Sequence, residues 1–270
     1  MGSMETKKTL IIPDIHGRTF WKEAVEQFLK EDMSAQDRLI VFLGDYFDPY
    51  PKEHINQNDA IKNFRQIIKF KQECNGAAVH LLIGNHDMHY ISSSFGHCSR
   101  YDYKKAPQIK KLFKLYEDMF EIALGVNSGG KYVILSHAGI QKNWVRDCLA
   151  YIPDDAHIVN YLNAEFDYVK KDEDSIFVHA LDEFSIYRGN IFCKHGSVVW
   201  ADTLEYFNKD TEIYGDFQIF GHTQSTKPYV PGGFNFACLD CHEAFILENG
   251  IIKYMNGEPV EITDEKTKEE

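Results

Sequence analysis

Five segments of this 270-residue chain end in side chains that can bind a metal ion or transfer a proton. In chain order these endings are Asp14-Ile15-His16, Asp45-Tyr46-Phe47-Asp48, Asn85-His86-Asp87, His137-Ala138-Gly139 and His222-Thr223. Carboxylate oxygens and imidazole nitrogens are common ligands of divalent transition metals. A single Asp or His after an apolar run is common, but the repetition of such endings predicts a metal-dependent site.

Each polar ending follows a short apolar run, at residues 8–13, 38–44, 77–84, 131–137 and 216–221. Continuous apolarity with β-branched residues is typical of strands that are buried on both faces. Amphipathic helices are predicted near 19–31 and 56–73, which gives a β-α-β-α-β order and parallel early strands. Because ligands gather beyond the carboxyl ends of strands in α/β sheets, we expect the five endings to meet.

The C-terminal third predicts a β-meander, formed by "FNFACLD", "EAFILEN" and "GIIKYMN" with a turn at Asn249-Gly250. A mixed sheet or two packed sheets is therefore favoured over one parallel sheet. We interpret residues 8–256 as a single domain, with a cap or specificity insertion at about 140–215. Residues 1–7 are expected to be a tail that begins with a cloning remnant, and 257–270 a charged tail.

Composition limits the class of protein. The chain is 44% hydrophobic and 26% charged, which indicates a globular protein. Its net charge of -12 argues against broad binding to nucleic acid, although it permits a local basic pocket for phosphate. No apolar run approaches the roughly 20 residues of a membrane span, so no membrane association is predicted. The six scattered cysteines suggest a reducing, cytoplasmic location, and Cys238 and Cys241 are interpreted as structural. The oligomeric state is left open.

The motifs D-x-H-G, G-D-x-x-D, G-N-H-D, H-A-G and G-H-T, in this order, resemble the calcineurin-like metallophosphoesterase superfamily. Within it they are most similar to the branch of phosphoprotein phosphatases and diadenosine tetraphosphate hydrolases. The resemblance covers residues 8–248, with 140–215 only loosely similar. It implies an α/β fold, a four-layer α/β/β/α sandwich of mixed sheets, and a dinuclear metal centre.

The resemblance also implies the ligands. Asp14 and His16 would hold the first metal ion and Asp45 would bridge both ions, while Asn85, His137 and His222 would hold the second. Many relatives carry a second histidine two residues after the last ligand, where this chain has Gln224. The first ion would then have fewer protein ligands, which counts against a nuclease. Such ligands suit Mn, Fe, Zn, Ni or Co, and manganese is our expectation for the activating ion.

Two divalent ions lower the pKa of a shared water, so that the bridging hydroxide can attack phosphorus. His86 is predicted to protonate the leaving group, and Asp48 to orient His86. The alternatives are a structural histidine and a turn-forming aspartate ahead of Pro49.

Relatives follow the second aspartate of G-D-x-x-D with an arginine that binds phosphate, whereas this chain has Pro49-Tyr50. Candidate replacements are Arg188, which we favour, Arg18 and Lys194-His195, with Asn85 contacting the phosphoryl oxygens. A surface role for Arg188 is the competing interpretation.

These residues predict a metal-dependent phosphoric ester hydrolase that acts on phosphomonoesters of small molecules or phosphoproteins, as protein phosphatases do. One alternative is a dinucleoside polyphosphate hydrolase, and a phosphodiesterase is disfavoured by the acidic charge. A binding scaffold on a degenerate phosphoesterase fold is the non-enzymatic alternative, which the retained His86 and Asp48 argue against.

Overall fold

The computed structural model describes residues 8–208 and 211–263, so the predicted tail at 1–7 and residues 264–270 of the predicted charged tail lie outside the described residues. The helices are α1 Trp21–Leu29, α2 Gln57–Glu73, α3 Asn85–Ile91, α4 Ala106–Leu115, α5 Lys142–Cys148, α6 Ile158–Lys171 and α7 Ile176–Leu181. The strands are β1 Lys8–Ile12, β2 Arg38–Phe42, β3 Ala78–Leu82, β4 Phe120–Glu121, β5 Ala123–Ser128, β6 Lys131–Ser136, β7 Phe217–Phe220, β8 Phe236–Cys238, β9 Phe245–Glu248 and β10 Ile251–Tyr254.

The first sheet has six strands in the order β10-β9-β1-β2-β3-β4. Strands β1 to β4 are parallel to one another, and α1 and α2 provide the crossovers between the first three. Strand β9 pairs antiparallel with both β1 and β10. The predicted β-α-β-α-β unit is therefore confirmed, with strand bounds within two residues of the apolar runs.

The second sheet has four strands in the order β5-β6-β7-β8, in which β5 is antiparallel and β6 to β8 are parallel. The predicted meander is wrong in one respect, because β8 pairs with β7 in this sheet and only β9 and β10 form a hairpin. Phe236 and Cys238 of β8 pack against Phe220 of β7 on the outer face of the second sheet, and this packing makes β7 the partner of β8. The hairpin turn has φ of 52° at Asn249 and 77° at Gly250, as a two-residue turn requires.

Side chains alternate between the two faces of each strand. Ile11 and Val41 of the first sheet pack against Val133 and Leu135 of the second, and this cluster separates the sheets. Their strand neighbours Leu10 and Ile40 instead belong to a larger cluster with the helices. The predicted four-layer α/β/β/α sandwich is confirmed.

Residues 140–215 contain α5, α6 and α7, followed by irregular chain. Helix α6 buries Leu162 and Phe166 in the same core cluster as the first sheet, so the helical part of this segment belongs to the domain core. Its interpretation as a cap or specificity insertion stays a prediction.

Within the described residues, no helix has both the length and the apolar character needed to cross a bilayer. The six cysteines are free thiols. Cys238 is buried and its Sγ donates to the carbonyls of Gly221 and Thr223 at 3.2 and 3.3 Å, which places it in the framework beneath His222.

The buried aromatic rings in the larger cluster with the helices offer a test of this packing. Phe64 is fully buried and lies 4.8 Å from Phe47 and 5.3 Å from Phe113 between ring centroids. We expect Phe64→Ala to lower the free energy of unfolding by about 4 kcal/mol, because the cavity adds to the lost burial. Urea denaturation followed by circular dichroism measures this. The control is Phe192→Ala at a side chain that is 88% exposed, and an equal loss in both variants would contradict the packing.

Candidate active site

The strand endings of both sheets meet at one edge of the sandwich. Asp14 and His16 follow β1, Asp45 follows β2 and Asn85 follows β3, while His137 and His222 follow β6 and β7 of the second sheet. Five of the six are buried and His222 is partly exposed. The structure therefore brings together all six residues that the sequence predicted as metal ligands.

The backbone turns sharply at these endings. His16, Asp45, Asp48 and His222 have φ of 42°, 53°, 59° and 63°, a left-handed region that costs a non-glycine residue about 1–2 kcal/mol. Four such residues in one site indicate a geometry that the surrounding fold enforces.

Two glycines allow the closest approach of the sheets to these side chains. A Cβ at Gly84 would lie 2.1 Å from Asp45 Oδ1, and a Cβ at Gly221 would lie 2.1 Å from Asp14 Oδ1. Only glycine fits at both positions while the two carboxylates keep their places.

The first cluster of possible ligands consists of Asp14, His16 and Asp45. His16 Nδ1 lies 2.7 Å from the carbonyl of Phe47, which can only accept, so we assign the proton to Nδ1. The lone pair of Nε2 then faces Asp45 Oδ2 at 3.4 Å. Burial, with smaller effects from the charges of nearby cationic groups, lowers the pKa of His16, which keeps this imidazole neutral. A lone pair and a carboxylate that face each other can both bind a cation placed between them.

The second cluster consists of Asp45, His137 and His222. His137 Nδ1 lies 3.0 Å from the carbonyl of Leu43, which likewise leaves the lone pair on Nε2. That atom is 3.0 Å from Asn85 Oδ1, 3.1 Å from His222 Nδ1 and 3.6 Å from Asp45 Oδ2. Burial lowers the pKa of both histidines, so they are neutral donors of electron pairs.

Asp45 belongs to both clusters. Burial, and then the charges of Asp14 and Asp87, raise the pKa of Asp45, which means that its charged form lacks compensation from the protein alone. Neutral imidazoles and buried carboxylates with facing lone pairs fit divalent cations, so the chemistry of these residues suits a metal site.

A histidine–aspartate pair lies next to the clusters. His86 Nδ1 is 2.8 Å from Asp48 Oδ2, and its ring is 5.1 Å from that of His16. His89 Nε2 is 2.8 Å from the same oxygen, while Tyr90 Oη and Gln57 Nε2 donate to Asp48 Oδ1 at 2.5 and 3.1 Å.

Four donors therefore surround the Asp48 carboxylate. Burial alone would raise the pKa of Asp48, but the hydrogen bonds from His86 and His89 outweigh it and lower the pKa. Burial lowers the pKa of His86 to about 4, although its hydrogen bond with Asp48 opposes this shift. A negatively charged ligand beside the ring would favour the protonated form of His86.

The predicted phosphate-binding arginines differ in their surroundings. Arg188 Nη2 donates to Thr223 Oγ1 at 2.9 Å, and its Nε lies 2.9 Å from Asp202 Oδ2, which fixes the guanidinium beside His222. Arg18 is buried and forms a bidentate pair with Glu53 at 3.0 and 2.8 Å. The guanidinium of Arg18 is thus engaged by a carboxylate, and its role in phosphate binding stays a prediction.

The remaining predicted positions differ in burial. Lys194 is exposed, whereas Asn85 lies inside the second cluster and its Nδ2 donates to Cys98 Sγ at 3.4 Å. Gln224 Nε2 is 2.6 Å from His242 Nε2 in an exposed contact.

Sequence reasoning missed Asp240. This residue is buried, and burial together with the charge of Asp14 raises the pKa of Asp240. Its buried Oδ1 has no hydrogen-bond partner among the described residues. A signal was present, because Asp240 follows β8 as the earlier acids follow their strands, which makes it a sixth polar ending.

Sequence reasoning also missed the groups around Asp48. Gln57, His89 and Tyr90 lie on α2 and α3 and resemble ordinary helix residues in the sequence. Arg100 lies in the loop after α3, and its Nη2 is 3.4 Å from His86 Nε2. No feature of the sequence points to these contacts.

The shared position of Asp45 yields a prediction. We expect Asp45→Asn to lose at least half of the bound metal of the wild type, because one substitution weakens both clusters. Elemental analysis of purified protein after gel filtration measures the metal content. The control is Asp167→Asn, at a side chain that is 60% exposed on α6. Wild-type metal content in Asp45→Asn would contradict the assignment.

Comparisons with known proteins agree with this geometry. Residues 7–225 match the profile of a family described as calcineurin-like phosphoesterase. A search of curated protein sequences gives no significant match.

Solved structures with a similar fold include enzymes named as phosphatases. The cold-active protein-tyrosine phosphatase of a psychrophilic Shewanella sp. is 17% identical, with a TM-score of 0.61 over 95% of this chain and 80% of that chain. A protein serine/threonine phosphatase from Saccharomyces cerevisiae is 14% identical, with a TM-score of 0.52 over 97% of this chain and 83% of that chain. At these identities the likeness shows a shared fold.

Proposed function

Since this chain belongs to the calcineurin-like phosphoesterase family, we propose that it is a phosphatase that hydrolyses phosphomonoesters with a pair of divalent cations. The observation that carries the proposal is the His86–Asp48 pair, at 2.8 Å, beside two ligand clusters that share Asp45. Two ligand clusters with one carboxylate in common are the arrangement that two-metal hydrolysis needs.

The proposed ligands follow from the two clusters. The first cation would be held by Asp14, His16 and Asp45, and the second by Asp45, Asn85, His137 and His222. When bound, two cations neutralise the phosphoryl oxygens and make a water molecule nucleophilic near neutral pH. We propose manganese, and Fe, Zn, Ni and Co suit the same mixture of oxygen and nitrogen donors.

His86 is the proposed general acid. Its Nδ1 is bound to Asp48, so the opposite ring atom, Nε2, is the one that can give a proton to the leaving-group oxygen. Asp48 is ionised and held by further donors from His89 and Tyr90, so it fixes the orientation of the ring and stabilises the imidazolium.

Arg188 and Asn85 are the proposed contacts for the phosphoryl oxygens. The guanidinium of Arg188 stands beside His222, where its charge suits the dianion of a monoester. Because Arg188 belongs to the segment 140–215, we propose that this segment contributes to the choice of substrate.

A metal-by-substrate screen tests the proposal. It compares p-nitrophenyl phosphate, bis-p-nitrophenyl phosphate, a phosphopeptide and diadenosine tetraphosphate, each with Mn, Zn, Ni or Mg. We expect the fastest turnover with a monoester and manganese. Faster hydrolysis of the diester or of the dinucleotide would overturn the substrate class, and inactivity of the metal-loaded protein on all four would favour a scaffold.

His86→Asn tests the role of the acid. We expect the turnover number for p-nitrophenyl phosphate to fall roughly 10²- to 10⁴-fold, because proton donation is lost. Substrates with more acidic leaving groups should lose less, since they need less help from a proton.

The metal content of His86→Asn should match that of the wild type. Loss of metal would instead identify His86 as a ligand. His157→Asn, at an exposed histidine on the surface, is the matched control and should keep full turnover.

A further inference from the structure

We propose that Arg100 binds a phosphoryl oxygen of the substrate next to His86, an inference that rests on the proposed phosphatase function. The residue after Asp48 is Pro49, so this stretch of chain offers no cationic side chain at its end. Arg100 brings a guanidinium to the same place from a loop that is 52 residues further along the chain.

Three contacts hold the guanidinium. Arg100 Nε donates to the backbone carbonyl of Asp48 at 2.9 Å, and Nη1 donates to Ser99 Oγ at 3.1 Å. The guanidinium carbon lies 3.8 Å from the centroid of the Tyr50 ring, within the range of a cation–π contact. The remaining group, Nη2, is directed toward His86 Nε2 at 3.4 Å. The side chain is thus fixed at one end and presents one N–H-bearing nitrogen to the atom that would face the leaving group.

The backbone at Arg100 supports a positioned role. Its φ is 65°, the left-handed region that disfavours a residue with a long side chain. The amide of Cys98 donates to His89 Nδ1 at 3.0 Å, and the amide of Asp102 donates to Tyr90 Oη at 3.0 Å. The loop is therefore attached to α3 on both sides of Arg100.

The same two α3 side chains also hold Asp48. His89 contacts its carboxylate through Nε2, and Tyr90 donates to it through its hydroxyl. Because Arg100 and the His86–Asp48 pair share these supports, their relative position is preorganised before any ligand binds. A strained residue held in this way is typical of a functional position.

Tyr50 links Arg100 to the first cluster. Its ring contacts the guanidinium of Arg100 on the one hand and, edge-on at 5.1 Å between centroids, the His16 ring on the other. A phosphoryl group that reaches the first cluster and contacts His86 Nε2 would therefore come within reach of Arg100 Nη2, which lies 3.4 Å from that ring nitrogen. A guanidinium there can donate to a phosphoryl oxygen with a charge-assisted hydrogen bond.

The test uses the metal-loaded protein with inorganic phosphate as the probe. We expect Arg100→Ala to raise the dissociation constant of phosphate, measured by calorimetry, roughly 10- to 100-fold, the effect of losing a hydrogen bond to a charged group. Metal content should be unchanged, and kcat/KM for p-nitrophenyl phosphate should fall at least as much. Arg100→Lys keeps the charge and should recover part of the affinity.

Two further measurements separate phosphate binding from a structural role. Added guanidinium ion should partly restore the turnover of Arg100→Ala, which a purely structural defect would not show. Arg146→Ala, at an exposed arginine on α5, should bind phosphate like the wild type. Should Arg100→Ala fail to fold, Arg100→Lys and Tyr50→Leu carry the test, and both should weaken phosphate binding.

The outcomes also distinguish this inference from the function on which it rests. An active wild type whose Arg100→Ala variant binds phosphate normally would overturn the role of Arg100 and leave the phosphatase standing. An inactive wild type whose phosphate affinity still depends on Arg100 would overturn the phosphatase and keep the phosphate site.

Discussion

Negative charge buried where the two sheets meet is the constraint on which the site depends. Asp14, Asp45, Asp87 and Asp240 are each at most 2% exposed, and a buried carboxylate is costly unless something compensates it. Asp87 accepts three backbone N–H groups, from Asp45, Tyr46 and Gly84 at 2.7, 2.9 and 3.0 Å, which oppose the burial that raises its pKa to about 8. Asp14 and Asp45 accept one backbone amide each, from His222 and His86, and together with Asp240 they face one another and neutral imidazoles. The buried acids therefore fall into two groups. Asp87 holds the loops through backbone hydrogen bonds, whereas Asp14, Asp45 and Asp240 suit cations.

The sequence allowed much of this to be predicted. The continuous apolar runs gave the strands, and the polar residues at their ends gave the ligand clusters, because burial and strand direction leave one place for such side chains. The sheet that β8 joins could not be predicted from its few residues, since the packing of Phe236 against the outer face decides it. Because Asp240 follows β8, the wrong sheet for this strand also left Asp240 out of the predicted site.

The surroundings of Asp48 were beyond sequence reasoning for a different reason. Gln57 and His89 lie on helices whose pattern of burial predicts nothing about the carboxylate they contact. Arg100 belongs to a loop without periodicity, and its contact with Asp48 is formed only when the chain is folded. Contacts that form only through tertiary packing leave no pattern in the local sequence. The polar residues at the strand ends could therefore be predicted, whereas the residues that hold Asp48 could not.

The proposed metal ligands come from both sheets, and this has a consequence for folding. Asp14 accepts the amide of His222 across 208 residues of chain, and the two belong to different sheets. The proposed second cation, held by Asp45 after a strand of the first sheet and by His222 after a strand of the second, would join the two layers of the sandwich at their open edge and would bind the folded chain in preference to the unfolded one. By mass action, the folded population then rises with the free concentration of the metal. Metal supply would therefore govern what fraction of the protein is folded, in addition to how fast it works.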